Sequence, residues 1–155
     1  MKTIIVTGTP GTGKTYLAKK LAKKFNFQYI DVNELINKNK LAEGYDKKRK
    51  CKIIDIKRLN RFLINLIKKS KKNLIIDSHL SHYLPNKYID LCIVTKSDLK
   101  TLKKRLNKKG YDKEKIKENL ECEIFDICFN EAFERKHKIL IIDTSKRINL
   151  NKIKF

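Results

Sequence analysis

Residues 8–15 are the stretch whose residue types and spacing could do the most chemistry. They read GTPGTGKT and match the phosphate-binding pattern GxxxxGK[ST], the P-loop, in full. Its glycines let the backbone turn tightly, so that successive N–H groups can face the β- and γ-phosphates of a nucleotide. Lys14 would add a point charge at those oxygens, and the Thr15 hydroxyl would be a Mg²⁺ ligand. The pattern therefore predicts binding of Mg-ATP.

The elements that must position this loop are also present. β-Branched residues precede it and predict a strand over residues 2–7, and an amphipathic sequence predicts a helix over residues 14–25. The N terminus of that helix would direct its positive dipole end at the same anion. Strand, loop and helix in this order separate a P-loop from a chance glycine-rich turn.

Two more candidates follow a later apolar strand, predicted over residues 73–77. Asp77 ends this strand, as a Walker B aspartate does, and with Thr15 it would hold Mg²⁺ directly or through water. His79 could place a water or a hydroxyl near the γ-phosphate, and its alternative is a helix-cap or surface histidine. We assign no role to His82 or His137.

Arg105 is the candidate for neutralising charge on the transferred phosphoryl group. The chain has few arginines, and this one lies on a helix predicted to run to about residue 107 and to enter a Lys-Lys-Gly-Tyr corner. From there it would point from a lid toward the P-loop. A solvated charge on the helix surface is the alternative.

Strands and helices alternate along the chain, which predicts an α/β fold. Further strands are expected over residues 27–30, 89–95 and 138–143, and further helices over 55–69 and 112–136. We predict a single domain over residues 1–155, a three-layer α/β/α P-loop NTPase fold. Its strands would be parallel, with the site at their carboxyl ends.

A polar insertion follows the second predicted strand. Residues 31–54 are too long for a tight turn, and small P-loop kinases carry a mobile flap over the phosphoryl acceptor at this place. We therefore predict acceptor binding there, with an ordinary charged excursion as the alternative.

Composition favours a cytoplasmic protein with a phosphate-rich partner. The chain has 38 basic and 17 acidic residues, a net charge of +21, which suits an RNA-rich partner unless the lysines serve solubility alone. The four cysteines lack CxxC spacing and predict reduced thiols rather than a zinc site or a redox pair. The N terminus runs directly into a predicted core strand, which leaves no room for a signal peptide, and no apolar run approaches a membrane span.

Nearly the whole chain resembles the adenylate kinase isoenzyme 6 family of archaea and eukaryotes. The resemblance is carried, in matching order and separation, by GTPGTGKT, YIDVNEL, EGYD, IIDSHLSHYLP and RLNKKGYDKEKIKENLECEIFDICFNEA. The P-loop alone is unspecific. The DSH of residues 77–79 and the Gly-Tyr corner followed by KENLECEIF are specific.

The resemblance implies a broad-specificity nucleoside monophosphate kinase that converts ATP and AMP to two ADP and also hydrolyses ATP. It implies the sheet order 2-3-1-4-5 of nucleoside monophosphate kinases and a short lid over residues 108–118. It also implies a role in late maturation of the small ribosomal subunit. The implied partners are small-subunit rRNA and, transiently, a platform ribosomal protein of universal family eleven. By motif position, Asp77 would be the Walker B acid and His79 the histidine linked to hydrolysis. The ATP phosphates would be held by Pro10, Gly11, Thr12, Gly13, Lys14 and Thr15.

Two positions depart from the family pattern. Lys109 stands where relatives usually have an arginine before the Gly-Tyr corner, and Asn37 stands where an arginine is usual in the acceptor region. Lys109 keeps its charge but loses the bidentate fork, and we still expect it to neutralise phosphate charge with Lys14 and Arg105. Kinase turnover is therefore expected to be modest relative to ATP hydrolysis.

Two other functions use the same motifs. One is a nucleotide-gated assembly factor in which transfer to AMP is incidental. A basic protein partner would then need an acidic patch, with candidates in Glu114, Glu118, Glu121, Glu123 and Asp126. The other is a small-metabolite kinase, such as a shikimate-type enzyme, which would phosphorylate a non-nucleotide acceptor.

Overall fold

A computed structural model describes residues 1–154. Its strands are β1 (Thr3–Thr7), β2 (Gln28–Asp31), β3 (Ala42–Asp46), β4 (Cys51–Ile54), β5 (Leu74–Asp77), β6 (Leu91–Lys96) and β7 (Ile139–Asp143). Its α-helices are α1 (Lys14–Phe25), α2 (Val32–Lys38), α3 (Ile56–Lys69), α4 (Leu99–Lys108), α5 (Lys113–Ile124) and α6 (Ile127–Glu134). Short 3₁₀ turns cover Ser81–Tyr83, Asn86–Tyr88 and Leu150–Lys152.

Five of the strands form one parallel sheet in the order β2-β5-β1-β6-β7. Numbered among themselves along the chain, they follow the order 2-3-1-4-5, so the predicted fold class is confirmed. The remaining two strands, β3 and β4, pair as an antiparallel hairpin. The carboxyl ends of β1 and β5 meet because Val6 is in register with Asp77.

The residues of the central strand β1 show that helices cover both faces of the sheet, which gives the fold its three layers. Ile4 and Val6 pack on the face covered by α1, whereas Ile5 packs on the face covered by α3 and α6. All three are fully buried. A strand covered on both faces needs apolar residues at every position, which accounts for the uninterrupted β-branched run.

Helix α3 shows how such a layer is built. Leu59, Leu63 and Ile67 recur at four-residue spacing and are buried against the sheet, where each contributes roughly 1.5–3 kcal/mol. Asp55 begins the helix by accepting hydrogen bonds from the N–H groups of Lys57 at 2.8 Å and Arg58 at 3.2 Å.

The prediction of one helix over residues 112–136 is wrong. The segment breaks into α5 and α6 because Asp126 adopts a left-handed conformation with φ of 52°. Aspartate tolerates this conformation better than most residues. Its carboxylate also forms an ion pair with Lys96, at the end of β6.

The insertion is more regular than the prediction of a flap suggested. Residues 31–54 contain α2 and the β3–β4 hairpin. Asp31 starts α2 by accepting from the N–H of Asn33 at 2.9 Å. The second strand also lies one residue later than predicted, at Gln28–Asp31. Within residues 1–154, no helix combines the length and apolar character that a membrane span requires.

Candidate nucleotide-binding site

The P-loop connects β1 to α1 and packs closely against the end of β6. A Cβ at Gly8, where φ is 142°, would lie 2.4 Å from Thr95 Oγ1, so only glycine fits there. Gly13 is the N-cap of α1 in the left-handed region, with φ of 80°, and no acidic side chain lies in the first turn. The first N–H groups of α1 lack partners within the helix and form a ready site for an anion.

Thr12 and Pro10 differ from the other predicted phosphate ligands, because neither has a backbone N–H available for a phosphate. The N–H and the hydroxyl of Thr12 both donate to the carbonyl oxygen of Thr9, at 3.1 and 2.6 Å. Thr12 is fully buried and its hydroxyl also contacts that of Thr95 at 2.7 Å. Pro10 has no N–H to donate. Thr12 therefore stabilises the shape of the loop, and donors for a phosphate must come from its neighbours.

Thr15 and Asp77 lie together at the start of α1 and the end of β5. The Thr15 hydroxyl donates to Asp77 Oδ2 at 2.6 Å, and the Tyr29 hydroxyl donates to the same oxygen at 2.9 Å. Burial, and then the Asp77 charge, raise the pKa of Tyr29 far above its ordinary value. A hydroxyl and a carboxylate side by side are the hard oxygen ligands that Mg²⁺ prefers, so this pair fits the ion.

Lys14 extends into the same cleft. Its ammonium donates to the carbonyl oxygen of Thr9 at 3.1 Å. Burial lowers the pKa of Lys14 to about 8; the Asp77 carboxylate opposes this shift and the Lys109 ammonium adds to it. A cation held in a partly dry cleft gains strongly from an anionic partner.

His79 follows β5 on a turn at the edge of the cleft. The side chain is exposed, but the partial desolvation by nearby protein, and then the charges of Lys14 and His82, lower the pKa of His79 to about 4. The imidazole is therefore neutral at pH 7 and can accept a hydrogen bond.

Further cations line the cleft beyond Lys14. A cavity of about 330 Å³ in front of the loop is lined by Gly11, Gly13, Lys14, Thr15, Tyr16, Arg105, Lys108 and Lys109. Among these described residues, four are cationic and none is acidic. The structure thus brings Arg105 and Lys109 together with the P-loop, as predicted for Arg105 from its place beside the corner and for Lys109 from the resemblance.

A second cavity, of about 730 Å³, adjoins the first and was missed by the sequence reasoning. It shares Gly13, Tyr16 and Arg105 with the first cavity and extends along the segment after β7, past Thr144, Lys146, Arg147, Ile148 and Leu150. Arg105 donates to the Thr144 hydroxyl and to its carbonyl oxygen, both at 2.9 Å. Little in the sequence indicated that the C-terminal segment lines this cavity, because the segment has no strong hydrophobic pattern.

The hairpin of the insertion touches the N terminus of α5. Lys50, in the β3–β4 turn, forms an ion pair with Asp112 at 2.7 Å, and Lys115 donates to the Lys50 carbonyl oxygen at 3.1 Å. Asn37, which replaces a usual arginine, is hydrogen-bonded to Lys52 on the hairpin.

Two clusters lie behind the loop. His82 joins Thr7 Oγ1 at 2.7 Å to Glu131 at 2.8 Å, and burial lowers the pKa of this histidine against the opposing effect of Glu131.

All four cysteines are free thiols in the structure. Cys122 and Cys128 face each other across the junction of α5 and α6, and their interaction lowers the pKa of Cys122 and raises that of Cys128. Their spacing in sequence did not reveal this contact.

The strand order, with a phosphate-binding loop between β1 and α1, defines a P-loop NTPase fold. A family profile described as an AAA domain matches residues 4–126. A crystal structure of an uncharacterized protein from Eubacterium ventriosum has a TM-score of 0.57 with 16% identity, covering 93% of this chain and 88% of that one. This last likeness concerns the fold alone.

Relatives in sequence define the family more closely. The chain is 38% identical over 144 residues to the "Putative adenylate kinase" of Methanocaldococcus jannaschii, covering 93% of this chain and 77% of that protein. It is 32% identical over 140 residues to the "Adenylate kinase isoenzyme 6 homolog" of Dictyostelium discoideum, covering 90% and 79%. The chain belongs to the adenylate kinase isoenzyme 6 family.

Proposed function

We propose that the protein is a nucleoside monophosphate kinase of the adenylate kinase type, which transfers the γ-phosphoryl group of Mg-ATP to AMP or a related monophosphate and also hydrolyses ATP. The observation that carries the proposal is the Thr15–Asp77 contact at 2.6 Å, beside Lys14 in a cleft lined by cations. The names of the relatives support adenylate kinase chemistry over other P-loop reactions.

The proposed roles follow from charge and position. The backbone N–H groups of Gly11, Gly13, Lys14 and Thr15 would hold the phosphates, with the Lys14 ammonium on the β/γ oxygens. Thr15 and Asp77 would hold Mg²⁺, which when bound neutralises charge on the phosphate oxygens. Arg105 and Lys109 would offset charge that develops on the transferred group. An arginine in this role can be worth roughly 10³–10⁵ in rate.

The two cavities suggest where the nucleosides bind. The larger one has the size for the adenosine of ATP, with Tyr16, Ile148 and Leu150 as apolar surface among basic side chains. We place the acceptor at residues 31–54, opposite the P-loop, and the lid at residues 108–118. The exposed Lys50–Asp112 ion pair connects these two regions.

His79 is proposed to serve hydrolysis. Because its pKa is about 4, the ring is neutral throughout the neutral pH range and can accept a hydrogen bond that positions a water near the γ-phosphate. Such a role suits the acceptor-free reaction, in which water replaces AMP.

We further propose that the protein acts in the cytoplasm, in late maturation of the small ribosomal subunit, with the platform protein and rRNA as partners. The net charge of +21 favours phosphate-rich surroundings. The acidic candidates do not form one patch, because Glu123 is buried and Asp126 is paired with Lys96. Three exposed carboxylates remain for a basic protein, those of Glu114, Glu118 and Glu121.

Coupled assays with AMP, dAMP, CMP and no acceptor, run side by side, test the proposal. We expect AMP to add a Mg²⁺-dependent transfer activity to the acceptor-free hydrolysis, modest relative to that hydrolysis because Lys109 and Asn37 stand where relatives usually have arginines. An AMP-independent rate together with nucleotide-dependent binding of the platform protein would favour the gated assembly factor instead. Phosphorylation of a non-nucleotide acceptor such as shikimate, and none of AMP, would favour a small-metabolite kinase.

A further inference from the structure

Glu123 is a buried carboxylate beside the P-loop that has no part in the proposed chemistry. It lies near the C terminus of α5 and only 6% of its surface is exposed. Its Oε2 accepts from the Thr9 hydroxyl at 2.7 Å and its Oε1 from the Ser97 N–H at 3.1 Å. The Lys96 ammonium lies 3.6 Å away. A buried charge is tolerated only with such partners, so the site is built around this carboxylate.

Thr9, the P-loop residue that Glu123 contacts, is the point on which the loop converges. Its carbonyl oxygen accepts the N–H and the hydroxyl of Thr12 and also the ammonium of Lys14 at 3.1 Å. A shift of Thr9 would therefore change both the turn of the loop and the position of Lys14. Thr9 is 1% exposed and cannot be held by solvent in place of the protein.

Helix α5 connects this contact to the other side of the cleft. Its N-cap residue, Asp112, pairs with Lys50 of the hairpin, and its last turn carries Glu123. The 12-residue helix is roughly 18 Å long and behaves as a rigid element. The same helix thus touches the proposed acceptor region at one end and the P-loop at the other.

We propose that Glu123 is a positioning residue: through Thr9 it holds the P-loop, and with it Lys14, in the arrangement that phosphoryl transfer requires. The inference rests on the proposed function, because it assigns Glu123 an effect on that reaction. A purely structural tie would instead stabilise the fold without affecting the rate once the protein is folded.

The test compares Glu123→Ala, Glu123→Gln, Thr9→Val and the double variant Thr9→Val/Glu123→Ala. We expect Glu123→Ala to lower kcat by about 10- to 100-fold while the KM for ATP changes less, because misplaced groups lose transition-state contacts. Thr9→Val should cause a similar loss, and the double variant no further loss. Glu123→Gln should be intermediate, because its amide oxygen can still accept from Thr9.

Asp90→Ala is the matched control. Asp90 Oδ2 accepts from the Thr3 N–H at 2.7 Å, at the opposite end of β1. This variant should lower the melting temperature and leave kcat unchanged. If Glu123→Ala behaves like this control, or if the two single losses add in the double variant, the inference is wrong.

The same experiments also distinguish a failure of this inference from a failure of the proposed function. Should Glu123→Ala not fold, Glu123→Gln and Thr9→Val decide by the same criteria. If the wild-type protein hydrolyses ATP but does not phosphorylate AMP, the proposed kinase activity is wrong. In that case the inference predicts that Glu123→Ala lowers the kcat of ATP hydrolysis. A wild-type protein that turns over no ATP would overturn both.

Discussion

Replacing Lys14 with alanine is expected to lower phosphoryl transfer and ATP hydrolysis by at least about 10³-fold. Lys14 is the cation closest to the place where the P-loop would hold the β- and γ-phosphates, and its partner in the structure is the Thr9 carbonyl oxygen at 3.1 Å. Steady-state coupled assays with and without AMP measure both losses. Undiminished activity would remove the P-loop from the mechanism.

The loss should not come from unfolding. Because burial lowers the pKa of Lys14 to about 8 from 10.5, its contribution to the free energy of unfolding is least favourable below about pH 8 and improves between the two values. The alanine variant should therefore melt at the same temperature as the wild type or higher at pH 7. Lys23→Ala, on the exposed face of α1, is the matched control and should stay within about twofold of wild-type activity.

Asp77→Asn is expected to lower kcat by about 10²-fold and to raise the Mg²⁺ concentration needed for half-maximal activity by about tenfold. The amide keeps the shape of the carboxylate but loses the charge that would hold the ion beside Thr15. Titration of activity with Mg²⁺ at saturating ATP is the measurement.

Tyr29→Phe serves as the control for Asp77. It removes the 2.9 Å hydrogen bond to Asp77 but leaves the carboxylate and its contact with Thr15, so its Mg²⁺ requirement should stay within about threefold of wild type. An equal effect of both variants would assign Asp77 a structural role in place of metal binding.

The part of the site that depends on local sequence could be predicted. The loop from Gly8 to Thr15 and the aspartate ending β5 follow from residue types at fixed spacing, and the parallel register then brings their strands together. Arg105 was found by its position beside the Gly-Tyr corner, and Lys109 by the resemblance to the family. All of these residues follow from patterns within one or two elements.

The contacts that depend on tertiary packing could not be predicted. Glu123 lies 114 residues from Thr9, and no pattern along α5 separates a buried glutamate from a solvated one. The break at Asp126 lacks the glycine that usually marks a left-handed residue, and its conformation accompanies the ion pair with Lys96. The β3–β4 hairpin was missed because its turn, residues 47–50, is entirely basic and contains no glycine.

The central claim is that main-chain amides at the start of α1, with Lys14, bind the triphosphate of Mg-ATP at the carboxyl edge of the sheet. Titration of ¹⁵N-labelled protein with Mg-ATP, followed by the amide resonances of residues 11–15, tests it most directly. We predict that these resonances shift most, and that Lys14→Ala greatly reduces the shifts at the same concentration. Unchanged resonances in the loop, together with shifts elsewhere, would contradict the account.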